Sequence, residues 1–143
     1  MQLKGKVLAI DFGTKILGIA ISDNEQKLCL PYCQLKNNNN LFKKIIEIIE
    51  EEKVIEIVIG FPKTNNGYVS QRHQLIIDFK KTLDDKLQSK ITTTFFDESF
   101  STKSSYDSLK SFNVKTSKLD KNKDMIAASI ILENYLNSKN KSR

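Results

Sequence analysis

Apolar residues dominate three short segments at the start of the chain and predict three β-strands. Residues 6–12 are apolar on both faces up to Asp11, which is typical of a strand in the middle of a sheet. After a turn, residues 16–22 repeat this pattern, and residues 28–35 form a weaker segment interrupted by Pro31, which suits an edge strand. Because the connections are short, we expect the three strands to form an antiparallel meander.

The middle of the chain alternates between helical and strand patterns. Residues 41–52 repeat apolar side chains at the period of an amphipathic helix, and the β-branched run at 55–59 predicts a buried strand that the following Gly-Phe-Pro ends. Ser70 is a candidate N-cap of a second helix, and residues 91–96 predict a fifth strand. The apolar faces of the two helices consist of Leu41, Ile45, Ile48, Ile49, Ile76, Phe79, Leu83 and Leu87.

The last third of the chain predicts two more helices around a Lys-rich loop at 113–123. One helix begins after Ser101 or Thr102, and the other covers about 124–136. The element order predicts an α/β fold, a ribonuclease H-like mixed five-stranded sheet with helices on both faces. We expect residues 1–137 to form this single domain and residues 138–143 to be a frayed polar tail.

Composition and charge narrow the class of protein only slightly. A hydrophobic content of 39% and a charged content of 28% are ordinary for a globular domain. The net charge of +6 favours polyanions such as nucleic acid, but the many Lys, Asn and Ile residues are equally typical of an AT-rich genome. No signal peptide and no membrane-length apolar run is visible, so we expect a cytoplasmic protein. Cys29 and Cys33 are expected to be free thiols. A zinc site needs about four nitrogen or sulfur ligands, and the two cysteines with the single His73 are too few.

Three carboxylates stand where buried elements begin or end. Asp11 closes an apolar strand, where an unpaired carboxylate costs several kcal/mol, and its alternative role is to cap the following turn. The Asp97-Glu98 pair ends the fifth strand, and because neighbouring strand residues point to opposite faces, only one of them can face Asp11. Asp124 begins the last helix and is expected on the same helix face as its two alanines. The helix dipole alone also favours an acidic residue at this position.

These carboxylates predict a metal site at the carboxyl ends of the central strands. Oxygen ligands without His or Cys suit hard cations, so Mg²⁺ or Mn²⁺ is favoured over Zn²⁺. Two such ions about 4 Å apart activate a water and stabilise the leaving oxygen of a phosphodiester. The carboxyl groups are then expected within roughly 4–8 Å of one another.

Polar and basic residues beside the same strand ends predict a nucleic-acid track. Gly13 permits close approach of a phosphate, and Thr14 and Lys15 provide a hydroxyl and a cation next to it. Further cations are expected to rim the site and to make binding dependent on salt. They are Lys63, Arg72, Lys103 and the basic residues of 115–123.

Four motifs in order resemble the YqgF family, also called RuvX, over essentially the whole chain. Residues 9–23 are similar to its opening strand and turn, and residues 57–62 with the following Asn-Gly resemble its second motif. Residues 97–102, Asp-Glu-Ser-Phe-Ser-Thr, stand where the family has Asp-Glu-Arg-Leu-Thr-Thr. Residues 124–136 resemble its closing Asp-x-x-Ala-Ala helix.

The resemblance implies a ribonuclease H-like, metal-dependent nuclease that matures the 5′ end of pre-16S rRNA, with ribosomal precursor particles as expected partners. Monomer and homodimer both stay open, because a junction resolvase would act as a symmetric dimer whereas an enzyme that trims RNA ends could work alone. The resemblance also favours Glu98 over Asp97 as the catalytic carboxylate beside Asp11 and Asp124. Ser99 departs from the family's usual Arg, which orients a carboxylate or a phosphate better than Ser does.

Three other readings remain open at this point. One is a resolvase of branched DNA, and another is a nucleic-acid-binding module without catalysis. A third is the phosphate-binding hairpin of sugar kinases and actin-like ATPases, although those proteins need two such domains.

Overall fold

The computed structural model describes residues 5–63, 67–97 and 123–141. Within these ranges the chain forms five strands and three helices in the predicted order. The elements are β1 (Lys6–Asp11), β2 (Ile16–Ser22), β3 (Cys29–Lys36), α1 (Leu41–Glu52), β4 (Val54–Phe61), α2 (Gln71–Leu87), β5 (Thr92–Asp97) and α3 (Lys123–Lys141).

The five strands form one mixed sheet in the order β3-β2-β1-β4-β5. β1, β2 and β3 pair antiparallel, whereas β4 pairs parallel to β1 and β5 parallel to β4. The predicted meander, the central position of β1 and the edge position of the strand with Pro31 are therefore confirmed. The edge is where Pro is tolerated, because its missing N–H then removes no hydrogen bond between strands.

Helices cover both faces of the sheet, which confirms the predicted fold class. Side chains of α1 and α2 pack with Leu8 and Ile10 of β1. Side chains of α3 pack on the opposite face with Val7 and Ala9, the alternate residues of the same strand. The buried apolar residues of α1 and α2 are the eight predicted: Leu41, Ile45, Ile48, Ile49, Ile76, Phe79, Leu83 and Leu87.

Two elements end more than one residue away from the sequence-based prediction. β4 continues through Gly60 to Phe61, because Phe61 still pairs with Asp97 of β5. α3 continues to Lys141, whereas the helix was predicted to cover about 124–136, so the predicted end of this helix is wrong. In this extended part Lys139 forms an ion pair with Glu56 of β4, with 3.0 Å between Nζ and Oε1. The predicted helix after residue 101 and the loop before α3 lie outside the described residues.

The two cysteines lie on opposite faces of the sheet. Cys29 packs on the α3 face and Cys33 on the α1/α2 face, so they cannot form a disulfide with each other. Burial raises the pKa of Cys29 to about 11 and also raises the pKa of Cys33. Both are therefore unreactive protonated thiols at neutral pH. None of the helices in the described ranges is long and apolar enough to cross a membrane.

Candidate functional site

Asp11 is the last residue of β1, the central strand, and lies on the face covered by α3. Val7 and Ala9 pack on that face, and Leu8 and Ile10 pack on the other. Because strand side chains alternate, Asp11 shares the face of Val7 and Ala9. Its side chain is half-buried. The carboxylate therefore lies at the carboxyl edge of β1, on the α3 side.

Glycines border Asp11 on both neighbouring strands. Asp11 pairs with Gly18 of β2. On the other side Ile10 pairs with Ile59, so the next position of β4 beside Asp11 is Gly60. Residues opposite each other in a sheet have side chains on the same face, and here both neighbours lack one. The two strand positions that flank the carboxylate on this face therefore carry no side chain.

The first turn of α3 lies at the same end of the sheet as Asp11. Tyr135 and Lys139, in the second half of α3, bond Glu56 near the start of β4. Because β1 and β4 are parallel, α3 runs antiparallel to both, and its N-terminal end lies toward their carboxyl ends. Asp124 is the second residue of this helix and stands one turn before the buried Ala128. The side chain of Asp124 lies outside the described residues, so its role as a ligand stays a prediction.

β5 presents its two aromatic residues to opposite faces. Phe95 packs against Phe61 on the α1/α2 face, with 4.9 Å between ring centroids, and Phe96 packs against Tyr135 of α3 at 5.7 Å. Strand alternation then assigns Asp97, which is exposed, to the face opposite Asp11. This placement argues against the optional role of Asp97 as a ligand. Glu98 lies outside the described residues, so its predicted role is still untested.

The turn after Asp11 is held tightly by residues from other elements. A Cβ atom at Gly13 would lie 2.2 Å from the backbone oxygen of Ile16, so only glycine fits there. The Asn37 side chain donates to the Gly13 carbonyl at 2.9 Å, and the Asn37 N–H donates to the Lys15 carbonyl at 2.8 Å. Thr14 and Lys15 are exposed at the outside of this turn. The hydroxyl and the cation predicted to meet a phosphate are thus accessible beside a fixed backbone.

Arg72 reaches the same turn from the first turn of α2. Its guanidinium donates to the carbonyl of Phe12, the residue after Asp11, at 3.2 Å. A guanidinium carries five N–H donors, and this bond uses one of them. Lys63 is exposed just after β4, at the carboxyl edge of the sheet. Of the predicted basic rim, the structure brings Arg72 to the Asp11 turn, while Lys103 and 115–122 lie outside the described residues.

His73 is a structural residue whose role the sequence analysis missed. Its Nδ1 accepts from the Ser70 N–H at 3.0 Å, which leaves Nε2–H to donate to the Pro62 carbonyl at 2.9 Å. With Ser70 it forms the capping box of α2. The spacing Ser-x-x-His could have predicted this cap. It matches the Ser-x-x-Glu capping box, with the His ring nitrogen as the hydrogen-bond acceptor in place of the Glu carboxylate. Asn37, which holds the Gly13 turn, was also missed, because nothing local in the sequence pairs it with that turn.

The side chains available as metal ligands in the described residues fit a hard cation better than zinc. His73 has both ring nitrogens engaged, and the two cysteines are protonated on opposite faces. The described residues contain no group of three or more His, Cys, Asp or Glu side chains that could hold a metal. Of the three main predicted ligands, Asp11 is the one whose side chain is described, and carboxylate oxygens are ligands of the kind that Mg²⁺ and Mn²⁺ take.

The mixed five-stranded sheet with helices on both faces defines the fold class, the ribonuclease H-like fold. Among solved structures, the fowlpox virus resolvase in complex with Holliday junction DNA matches 93% of this chain and 97% of its own. The TM-score is 0.57 and the sequence identity is 18%, so the likeness concerns the fold.

Sequence comparison identifies the family. The family model RuvX, described as Holliday junction resolvase, matches residues 5–138, so the chain belongs to the RuvX family. A relative from Malacoplasma penetrans is 70% identical over 96% of this chain and 98% of its own length. Another from Maridesulfovibrio salexigens is 38% identical over 92% of this chain and 97% of its own. Both carry the name "Putative pre-16S rRNA nuclease".

Proposed function

We propose that this protein is a metal-dependent nuclease that hydrolyses phosphodiester bonds at the 5′ end of pre-16S rRNA. The observation that carries the proposal is Asp11, which stands at the end of the central strand between Gly18 and Gly60. The relative from M. penetrans, named for pre-16S rRNA, is similar along its whole length, which supports a shared substrate. The proposed site of action is the cytoplasm, where ribosomal precursor particles are found.

Asp11, Glu98 and Asp124 are the residues that would hold Mg²⁺ or Mn²⁺. When bound, such ions supply an activated water and stabilise the charge of the leaving oxygen. The contribution of Asp11 is a carboxylate whose position is set by the backbone pairing of β1 with β2. The bordering glycines leave space for the scissile phosphate to approach this carboxylate.

The basic residues around the turn hold and orient the substrate strand. Lys15 and Lys63 are exposed ammonium groups that attract phosphates as point charges. Arg72 has donors left after its bond to Phe12, and a guanidinium can take a phosphate with two parallel hydrogen bonds. The bond to Phe12 fixes this guanidinium beside the residue that follows Asp11. These contacts would bind the phosphates of the nucleic acid and would not select a base sequence.

The direct test is incubation of purified protein and Mg²⁺ or Mn²⁺ with pre-16S rRNA, with the Asp11→Asn protein as the matched control. We expect shortening at the 5′ end by wild type and none by the variant. Binding of the RNA by both proteins without cleavage by either would favour a nucleic-acid-binding module. Equal cleavage by both would show that the activity does not use Asp11.

A resolvase of branched DNA is the second candidate, because the family model carries that description. The same experiment with a four-way DNA junction separates the two. Paired symmetric cuts in the junction, with pre-16S rRNA left intact, would favour the resolvase. A resolvase needs two active sites for matched cuts, so the oligomeric state of the active protein would have to be dimeric.

A further inference from the structure

An exposed aromatic residue stands next to the basic end of α2. Tyr68 has 70% of its surface exposed, and the adjacent Val69 has 50% exposed. Single exposed apolar residues are common, but two in succession that include an aromatic ring suggest a binding surface. Tyr32, another exposed tyrosine, donates its hydroxyl to Glu52 at 3.1 Å and so has a structural contact.

The chain next to Tyr68 is held by the cap of α2. Ser70, two residues later, donates its N–H to His73, and the Ser70 hydroxyl oxygen accepts the N–H of His73 at 3.3 Å. The other ring nitrogen of His73 bonds the Pro62 carbonyl, directly after β4. The imidazole therefore joins the end of β4 to the start of α2. Tyr68 thus stands two residues before a fixed position, and a shorter free segment lowers the entropy cost of a contact through its ring.

Tyr68 is close in sequence to Arg72, which contacts the turn after Asp11. Arg72 is four residues further on, a backbone distance of at most about 14 Å. The Arg72 guanidinium bonds the Phe12 carbonyl directly after Asp11. A strand whose phosphate lies at Asp11 and Arg72 would pass Tyr68 within a few nucleotides. Cations along a backbone path with an aromatic ring beside them are the features of single-stranded nucleic-acid sites.

We propose that Tyr68 is a substrate-binding residue that stacks on a base, so that the strand passing the site is unpaired there. This inference rests on the proposed function and deepens it by naming single-stranded nucleic acid as the substrate class at this position. In a duplex the faces of the bases are covered by their neighbours, so Tyr68 would have nothing to stack on. Arg72 and Lys63 would bind the phosphates of a single strand and of a duplex alike, whereas Tyr68 would favour the single strand.

The test measures binding of a labelled single-stranded RNA and of the matched duplex by fluorescence anisotropy, in an Asp11→Asn background that prevents cleavage. We expect Tyr68→Leu to weaken single-strand binding by about 5- to 100-fold, with duplex binding unchanged. Tyr68→Phe keeps the ring and is expected to bind as the parent does. Tyr32→Leu removes another exposed tyrosine, and we expect no change in binding.

The salt dependence provides a second readout. Tyr68→Leu removes no charge, so the slope of log Kd against log salt is expected to stay the same, whereas Arg72→Gln is expected to lower it by about one unit. Melting temperatures of all variants establish that they are folded.

Three outcomes would overturn the inference. Tyr68→Leu could bind the single strand normally, or it could lose single-strand and duplex binding equally. It could also bind RNA normally while losing association with ribosomal precursor particles, which would assign Tyr68 to a protein contact. In these cases the proposed nuclease function would stand. If the Asp11→Asn parent bound neither RNA, the proposed function would fail together with the inference.

Discussion

Two acidic residues lie on the α3 face of the sheet, one at each end. Glu56, near the start of β4, accepts the Tyr135 hydroxyl and the Lys139 ammonium, both from α3, and its side chain is 14% exposed. Asp11, at the end of β1, has Gly18 and Gly60 as its neighbours on the adjoining strands. The helix that sends large polar side chains to Glu56 carries two alanines, at 127 and 128, near the Asp11 end.

The two ends differ in the side chains around the carboxylate: Glu56 is bonded by two large side chains of α3, whereas Asp11, the proposed metal ligand, has glycines beside it on both strands. At the Glu56 end, the helix provides hydrogen-bond donors that compensate the desolvation of the carboxylate. At the Asp11 end, the adjoining strand positions are glycines and the helix carries two alanines, so the described neighbours of this carboxylate are small residues. Mutations at the two ends are therefore expected to affect different properties of the protein.

Asp11→Asn is expected to produce the largest effect. The amide cannot replace a carboxylate ligand, so we expect nuclease activity to fall by at least about 1,000-fold, as it does when a member of a catalytic unit is removed. The fold should remain intact, with a melting temperature equal to or above that of wild type, because repulsion among the predicted carboxylates is reduced. Rates of RNA cleavage and thermal unfolding measure the two quantities.

Glu56→Gln is the matched control at the other end of the sheet. It should retain activity but lose about 1–3 kcal/mol of stability, since the charged acceptor of two hydrogen bonds is removed. Mn²⁺ or Mg²⁺ should raise the melting temperature of wild type and of Glu56→Gln but do much less for Asp11→Asn. Equal stabilisation of all three by metal would show that the ions bind elsewhere.

Gly13→Ala and Gly5→Ala compare the two ends of β1. The added Cβ at Gly13 would collide with the backbone oxygen of Ile16, so the turn after Asp11 must shift. We expect a loss of about 1–3 kcal/mol and, because the turn positions the site, an activity loss of about 10- to 100-fold.

At Gly5 the added Cβ would meet the side chain of Ile55, which is 51% exposed and can move away. Gly5→Ala should therefore cost less stability and leave activity unchanged. Full activity in Gly13→Ala would separate the turn from catalysis.

Tyr135→Phe tests the Glu56 end without changing a charge. Burial, followed by the hydrogen bond to Glu56, raises the pKa of Tyr135 well above its usual value, which indicates a phenol that stays protonated. Loss of the hydroxyl removes one donor from Glu56, while Lys139 stays. We expect a loss of about 1–2 kcal/mol in denaturant unfolding and an unchanged cleavage rate. A substantial drop in activity would contradict the division between the two ends.

Cys29→Ala gives the smallest expected effect, visible only at alkaline pH. Burial raises the pKa of Cys29 to about 11, so the unfolded chain loses this proton before the folded one does. This difference in pKa contributes to the free energy of unfolding in full below the unfolded pKa. The contribution is lost as pH rises through the folded pKa, between about 9 and 11. The difference in unfolding free energy between wild type and Cys29→Ala should fall over this range by at most about 1 kcal/mol, because the thiol is half-exposed. A difference that stays constant with pH would show that the thiol is not desolvated.

The sequence by itself determined the elements and their order, because hydrophobic periodicity and caps act locally. The eight predicted apolar residues of α1 and α2 are buried, Ser70 caps α2, and Pro31 lies in an edge strand. Asp11 was also visible, since a carboxylate at the end of an apolar strand stands out against its neighbours. These features depend on residues a few positions apart, and the chain displays them directly.

Only the tertiary structure decided what surrounds those residues, because the contacts join positions far apart in the chain. Gly18 and Gly60 border Asp11 through strand pairing, Arg72 reaches Phe12 from another element, and Asn37 holds the Gly13 turn. Lys139, near the end of α3, bonds Glu56, which lies 83 residues earlier in the chain. The register of the sheet and the packing of α3 set these contacts, and neither is encoded in any short segment of the chain.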